Sequence, residues 1–295
     1  MSTIGFDTSN YTTSTAWTDG KTDINVRQIL YVKDGERGIR QSDGVFQHMK
    51  LMPVMYEKLS EQIDFKDVKA VGVSTRPRCV EGSYMPVFLA GEGYAKVVAN
   101  TVGVPLYEFS HQDGHIMAGI YSSGSFELLE NDFISVHLSG GTTEILKSRY
   151  NGFNFDNEII GGSKDISAGQ FIDRVGVKMG LHFPAGKALE QLALKTEKGE
   201  KLPIAVDGAY MNFSGVETKA SRMTESEKCD KSALALGVLE NVRDTLVKTI
   251  NKAMTDTNTH RVLIVGGVAS NGIIRNGLTK KLDGDVYFAK AEYST

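Results

Sequence analysis

Cysteine is nearly missing from this 295-residue chain, with Cys79 and Cys229 the whole complement. Two distant thiols cannot build a disulfide framework, so stability must come from a packed core, and the expected location is the cytoplasm. No apolar run approaches the roughly 20 residues that span a bilayer, so no membrane partner is expected. The opening Met-Ser-Thr-Ile-Gly-Phe lacks the charged and apolar regions of a secretory signal and is expected to enter a strand directly. Neither sign of charge dominates. The net charge of -3 excludes a broadly basic nucleic-acid binder but leaves room for a local basic patch. What remains is 41% hydrophobic residues, no low-complexity tract, and length enough for two domains.

Hydrophobic patterning gives an α/β chain. Ile4 to Phe6 reads as a buried strand, Asp7 to Asn10 as a turn, Thr13 to Trp17 as a second strand and Val26 to Val32 as a third. Apolar residues at Val45, Met49, Met52, Tyr56, Leu59 and Ile63 trace one helical face, with Pro53 predicting a kink or two consecutive helices. Ala70 to Val73 is a strand, Val87 to Val102 a helix closed by Gly103, and Val104 to Phe109 a further strand. The plan then restarts. Phe133 to Leu138 and Thr143 to Leu146 flank a tight turn, a long helix runs from about Ser232 to Met254, and Arg261 to Val265 leads into another helix. The openings Gly5 to Ser14 and His137 to Glu144 resemble a diverged repeat. The Gly- and Ser-rich stretch around 119–125 suggests domains of 1–125 and 126–295.

Four motifs carry chemistry. In Ser110-His-Gln-Asp-Gly-His115, two imidazoles four residues apart lie on one helical face, close enough to share a divalent metal. The plainer reading makes Ser110 a helix cap, with Asp113 completing a capping-box-like pair; it leaves both histidines unexplained. His48, His137, His182 and His260 offer no third ligand by spacing. In Ser139-Gly-Gly-Thr-Thr143, glycines let backbone amides close on an anion and hydroxyls add donors, though a hairpin needing glycine for positive φ would read the same. Gly266-Gly-Val-Ala-Ser-Asn271 joins a strand to a helix whose first amides are free to bind a ligand. Asp173 sits on a helix with Phe171, Ile172, Val175 and Met179 on its apolar face, upstream of Pro184-Ala-Gly186; a lone helical Asp is more often solvated or capping than a ligand.

In this order, these pieces resemble the TsaD/Gcp family, once labelled glycoprotease (peptidase M22), of the actin/Hsp70/sugar-kinase superfamily. The segments that carry the resemblance also include Asp165-Ile-Ser-Ala-Gly-Gln-Phe-Ile-Asp173 and Asn212-Phe-Ser-Gly215. The resemblance implies two RNase H-like domains with an interdomain nucleotide cleft. It also implies transfer of a threonylcarbamoyl group from its adenylate to N6 of adenosine 37 of tRNA, by a protein that binds iron or zinc. Carried onto this chain, His111 and His115 would hold the metal. Leu138, Ser139, Gly140, Gly141, Thr142, Asp173, Gly186 and Asn271 would contact ATP or threonylcarbamoyl-adenylate, with magnesium beside it. tRNA and a related family protein, as a heterodimer, are the implied partners.

Departures from the family pattern are specific. Tyr11-Thr12 stands where an acidic pair is usual, Asp113 replaces the usual Glu of the metal helix, and Thr142 stands where His is usual. Ser74 to Glu81 is a more basic loop than the family's Gly-Pro-Gly type. The chain stops one residue before the Asp expected as third metal ligand, so the natural protein is expected to run on past Thr295. These departures keep two alternatives in view: a non-catalytic ATP-binding partner that regulates a paralogue, and a metallopeptidase. The latter lacks a Glu between the histidines to act as base. Arg76, Arg78 and Lys96 are the basic residues to test for tRNA contact, and each reads equally as solvated charge.

Overall fold

The computed structural model describes residues 2–9, 11–32 and 39–293. Asn10, placed by the sequence at the close of the first turn, and Ser294-Thr295 lie outside the described residues. The chain forms two compact units, Met1–Gly114 and His115–Thr295.

The first unit is built on a five-stranded sheet in which β1 (Ser2–Asp7) pairs antiparallel with β2 (Thr12–Thr18), and β2 antiparallel with β3 (Asp23–Ile29). On its other side β1 runs parallel to β4 (Val68–Arg76), which runs parallel to β5 (Leu106–Ser110). The order is β3-β2-β1-β4-β5. Alternation along β1 sends Ile4 and Phe6 into a core shared with Val71 and Val73. Two helices supply the rest of that core: Met52 and Leu59 from α1 (Gln41–Ser60), Ala95 and Ala99 from α2 (Phe88–Val102). Each buried Ile, Val, Leu, Met or Phe side chain here stabilises by about 1.5–3 kcal/mol relative to exposure. Helix α2 ends where the sequence placed its stop, at Gly103 in the left-handed region.

Pro53 breaks neither the first helix nor its register: α1 is a single helix of 20 residues. Proline has no N–H for the carbonyl one turn back, which belongs to Met49. The Tyr94 hydroxyl donates to that carbonyl at 3.0 Å, supplying from α2 what Pro53 withholds. The third strand also differs from expectation. It begins at Asp23, pairing with Thr18, and ends at Ile29, after which Leu30 N donates to Tyr11 O at 2.8 Å.

The second unit repeats the plan. β6 (Phe133–Leu138) pairs antiparallel with β7 (Thr143–Tyr150), and β7 antiparallel with β8 (Phe155–Ser163). On its other side β6 runs parallel to β11 (Arg261–Val265), followed by parallel β12 (Asp285–Phe288). Short strands β9 (Ala205–Asp207) and β10 (Tyr210–Asn212) extend the sheet beyond β8. The central five strands thus have the topology of the first sheet, third-second-first-fourth-fifth. The internal repeat and the RNase H-like class both hold. Helices α4 (Ala168–Lys178), α5 (Gly186–Ala193), α6 (Ser214–Met223), α7 (Lys231–Thr257) and α8 (Gly272–Lys281) complete the unit. Long α7 buries Leu234, Val238, Leu239, Val242, Leu246 and Ile250 against Ile134, Val136, Ile264 and the faces of α4 and α5.

Helix α3 (His111–Ser123) begins in the first unit and continues into the second. Its later turns pack Ile116 and Ile120 on Leu263 and Val265. Gly119 permits that approach, since a Cβ there would lie 2.7 Å from Val265 Cγ1.

Candidate functional site

In the first unit, β1 ends at Asp7 and the chain turns through Thr8 and Ser9. Thr8 Oγ1 donates to Val87 O at 2.8 Å and accepts from Gly91 N at 3.0 Å, fastening the turn to the start of α2. The Asp7 carboxylate accepts from Ser9 N at 2.7 Å and from the Ser9 hydroxyl through Oδ1. Its Oδ2 lies 3.0 Å from His111 Nδ1. Burial alone would raise the Asp7 pKa; the His111 charge, with hydrogen bonds from His111, Ser74 and Ser9, overrides it and holds the carboxyl well below the usual carboxylate range. For His111, burial pulls downward, and the Asp7 charge and hydrogen bond outweigh it to raise the ring above the ordinary histidine value. Exposed Tyr11 and half-buried Thr12 follow where the family pattern has its acidic pair.

The start of α3 is capped as the plainer reading of its motif expects. Ser110 Oγ donates to Asp113 Oδ2 at 2.6 Å, Ser110 N donates to the same oxygen at 3.1 Å, and Asp113 N donates to Ser110 Oγ at 3.1 Å. That reciprocal pair fixes the helix start and leaves the histidines for other work. His111 and His115 follow one turn apart on one helical face. His137, which spacing had set aside, is brought beside this helix by β6: its ring meets His115 edge-on with centroids 6.0 Å apart. Among the described residues no three His, Cys, Asp or Glu side chains are grouped to hold an ion. The structure therefore offers two helical imidazoles, and nitrogen donors of that kind suit zinc or iron.

In the second unit, β6 runs out into the Ser139 to Thr142 turn, closed by Ser139 N to Thr142 O at 2.9 Å and Thr142 N to Ser139 Oγ at 3.0 Å. Neither Gly140 nor Gly141 occupies the left-handed region, and a Cβ on either would meet nothing within 4 Å. The hairpin therefore does not require these glycines for conformation or for packing within the chain. Open space over bare backbone is what close approach of an anionic ligand requires. The start of α4 is seated against the turn: Ser167 Oγ donates to Gly140 O at 2.7 Å, and Ala168 N donates to Thr143 Oγ1 at 2.9 Å. Ser167 and Gln170 close a capping box there.

The second glycine turn lies alongside. Parallel pairing of Val265 with His137 brings the ends of β11 and β6 together, so both loops leave the sheet at the carboxyl ends of neighbouring strands. That is where ligands bind in open α/β sheets. Gly266 has φ 102° and a Cβ would sit 2.5 Å from Leu138 O, so it serves this contact, whereas Gly267 faces open space.

The remaining sequence candidates have local partners. Asp173 accepts from Ala185 N at 2.7 Å and from Gly186 N, holding the first turn of α5, and burial pushes its carboxyl above the ordinary value despite those bonds. Asn271 caps α8 through Ile274 N at 3.1 Å. Glu190, which the sequence reading passed over, accepts from Gly272 N at 2.6 Å and ties α5 to the start of α8. Asp165 accepts from Phe213 N at 2.8 Å and Ser214 N at 3.0 Å, which explains why its motif and Asn212-Phe-Ser-Gly215 occur together.

Residues 37–295 match the TsaD family model, described as tRNA N6-adenosine threonylcarbamoyltransferase. This chain belongs to that family. A family member from Thermus thermophilus aligns over 283 residues at 30% identity, covering 92% of this chain and 82% of that relative. One from Christiangramia forsetii is 29% identical over 263 residues, covering 83% of this chain and 74% of its own length. Among solved structures, full-length HypF in its phosphate- and nucleotide-bound form gives a TM-score of 0.61 at 16% identity, covering 97% of this chain and 43% of HypF. The (R)-2-hydroxyglutaryl-CoA dehydratase component A of Acidaminococcus fermentans gives 0.52 at 15% identity, covering 100% of this chain and 95% of its own. These two likenesses show a shared fold.

Proposed function

We propose that this chain transfers a threonylcarbamoyl group from threonylcarbamoyl-adenylate to N6 of adenosine 37 of tRNA. Family membership supports the reaction class. The observation that carries the site is the open backbone of Gly140 and Gly141 against the capped start of α4. The amides of Gly140 and Gly141 would hold the phosphate, with the positive end of the helix behind them. Leu138, Asp173, Gly186 and Asn271 would line the rest of the nucleotide, Asp173 and Asn271 held in place by the helix starts they cap and Gly186 by its bond to Asp173. His111 and His115 would hold iron or zinc, which when bound supplies a Lewis acid for carbamoyl or phosphate oxygens. Magnesium beside the nucleotide, a related family protein as partner, and a cytoplasmic setting belong to the same reading. No helix among the described residues is long and apolar enough to cross a membrane.

The test is direct. The protein is incubated with threonylcarbamoyl-adenylate, unmodified tRNA and either zinc or ferrous iron, and the digested nucleosides are resolved by mass spectrometry. N6-threonylcarbamoyladenosine formed by the parent chain and not by Gly140→Val is the expected result. Absence of product with either metal and with related family proteins added would overturn the assignment.

A further inference from the structure

We propose that Asp7 is a positioning residue for metal binding: its carboxylate fixes His111 in the tautomer with the proton on Nδ1, and thereby makes Nε2 the nitrogen offered to the metal. The inference rests on the α3 metal reading above. A carboxylate accepts and cannot donate, so the ring nitrogen 3.0 Å from Asp7 Oδ2 must carry the hydrogen. The lone pair of the neutral ring is then on Nε2, and a metal binds a lone pair. Ligating histidines characteristically donate their other N–H to such an outer carboxylate, which sets both ring orientation and ligand basicity.

Asp7 is well built for this task. It closes β1, a strand paired on both sides, and its register partner on β2 is Ser14. Ser9 N, the Ser9 hydroxyl and Ser74 hold the carboxylate, so it has little freedom to turn away. On another side of the His111 ring, Phe88 stands edge-on with centroids 6.3 Å apart. The constraint reaches His111 from a strand far away in sequence, and not from its own helix.

The experiment pairs a tautomer readout with a metal readout. Histidine-labelled protein without metal, at a pH where the ring is neutral, reports the His111 tautomer by long-range nitrogen–proton NMR. Zinc or cobalt(II) affinity is measured in competition with a chromophoric chelator. The parent chain should show the Nδ1–H form. Asp7→Asn, which can donate to the ring, should shift it toward Nε2–H and weaken the metal by about 10–100-fold, with His111→Ala at least as severe. Ser9→Ala is the milder companion should Asp7→Asn melt early; it loosens Oδ1 while leaving Oδ2 in place, and should give a loss of a few-fold. An Nε2–H ring in the parent chain, or an Asp7→Asn affinity equal to the parent's while His111→Ala loses the metal, would overturn the role of Asp7 alone. Unchanged affinity in His111→Ala would instead bring down the metal reading from which the inference starts.

Discussion

Gly169, in the first turn of α4, lies against Gly140: a Cβ on Gly169 would fall 2.6 Å from Gly140 Cα and 2.6 Å from Ser139 O. The helix start and the hairpin turn are thus fitted to each other through backbone, and the two glycines have different jobs. Gly169 is needed by the protein, whereas Gly140 leaves space that the protein itself does not use.

That difference is measurable. Gly169→Ala should destabilise by about 1–3 kcal/mol through overpacking, read as a lowered denaturation midpoint. Gly140→Val and Gly141→Val should keep close to parental stability, because nothing stands within 4 Å of the new Cβ. They should nevertheless lose nucleotide binding by calorimetry. Parental affinity in both valine variants would remove the phosphate from this turn.

A second expectation concerns the carbonyl that Pro53 leaves without its helical donor. Tyr94→Phe removes the hydroxyl that serves Met49 O and should lower stability by about 0.5–1.5 kcal/mol. In a Pro53→Ala background the helix can make its own bond, so the same change should then matter less. A double-mutant cycle gives the coupling; additive effects would mean that the Tyr94 bond and the missing proline donor are unrelated.

Much of this architecture is legible in the sequence. Phe133 to Leu138 and Arg261 to Val265 are largely apolar segments that run into Ser139 and Gly266, and both are strands with those limits. Gly103 marks a helix end because a left-handed cap favours glycine. Linear spacing misses what tertiary pairing assembles. His137 comes to His115 through the sheet, and Asp7 comes to His111 from the first strand, 104 residues earlier in the chain. Asp173 and Asn271 stood out as chemistry-bearing residues; Asn271 caps the helix that the sequence placed directly after it, whereas Asp173 caps the start of α5, whose limits the sequence did not define.

A third expectation follows from Asp165. Partial burial opposes its charge, but hydrogen bonds from the Ser214 hydroxyl and the amides of Phe213, Ser214 and Ile166 prevail and hold it far below the usual carboxylate range. A carboxyl with a lowered folded pKa contributes stability above its unfolded value, near 3.9, and that contribution fades as pH falls through the folded value. Asp165→Asn should therefore melt below the parent chain at neutral pH, and the gap should narrow from about pH 5 to pH 3. A gap independent of pH would assign the loss to shape alone.

The link between Glu127 and Tyr287 gives a signal at the other end of the pH scale. Tyr287 on β12 donates to Glu127, in the turn that follows α3, and that bond, with burial and the nearby carboxylate charges, pushes the phenol up to about 12. The same bond holds Glu127 below its ordinary value. A raised folded pKa means that the contribution is complete below the unfolded phenol value, near 10, and is lost as pH rises through the folded one. In a spectrophotometric titration of the 11 tyrosines, one phenol should ionise late in the parent chain and be missing from Tyr287→Phe. Glu127→Gln removes the negative charge, so Tyr287 should ionise closer to the ordinary range. An unchanged late phase in Glu127→Gln would show that burial, and not Glu127, sets the shift.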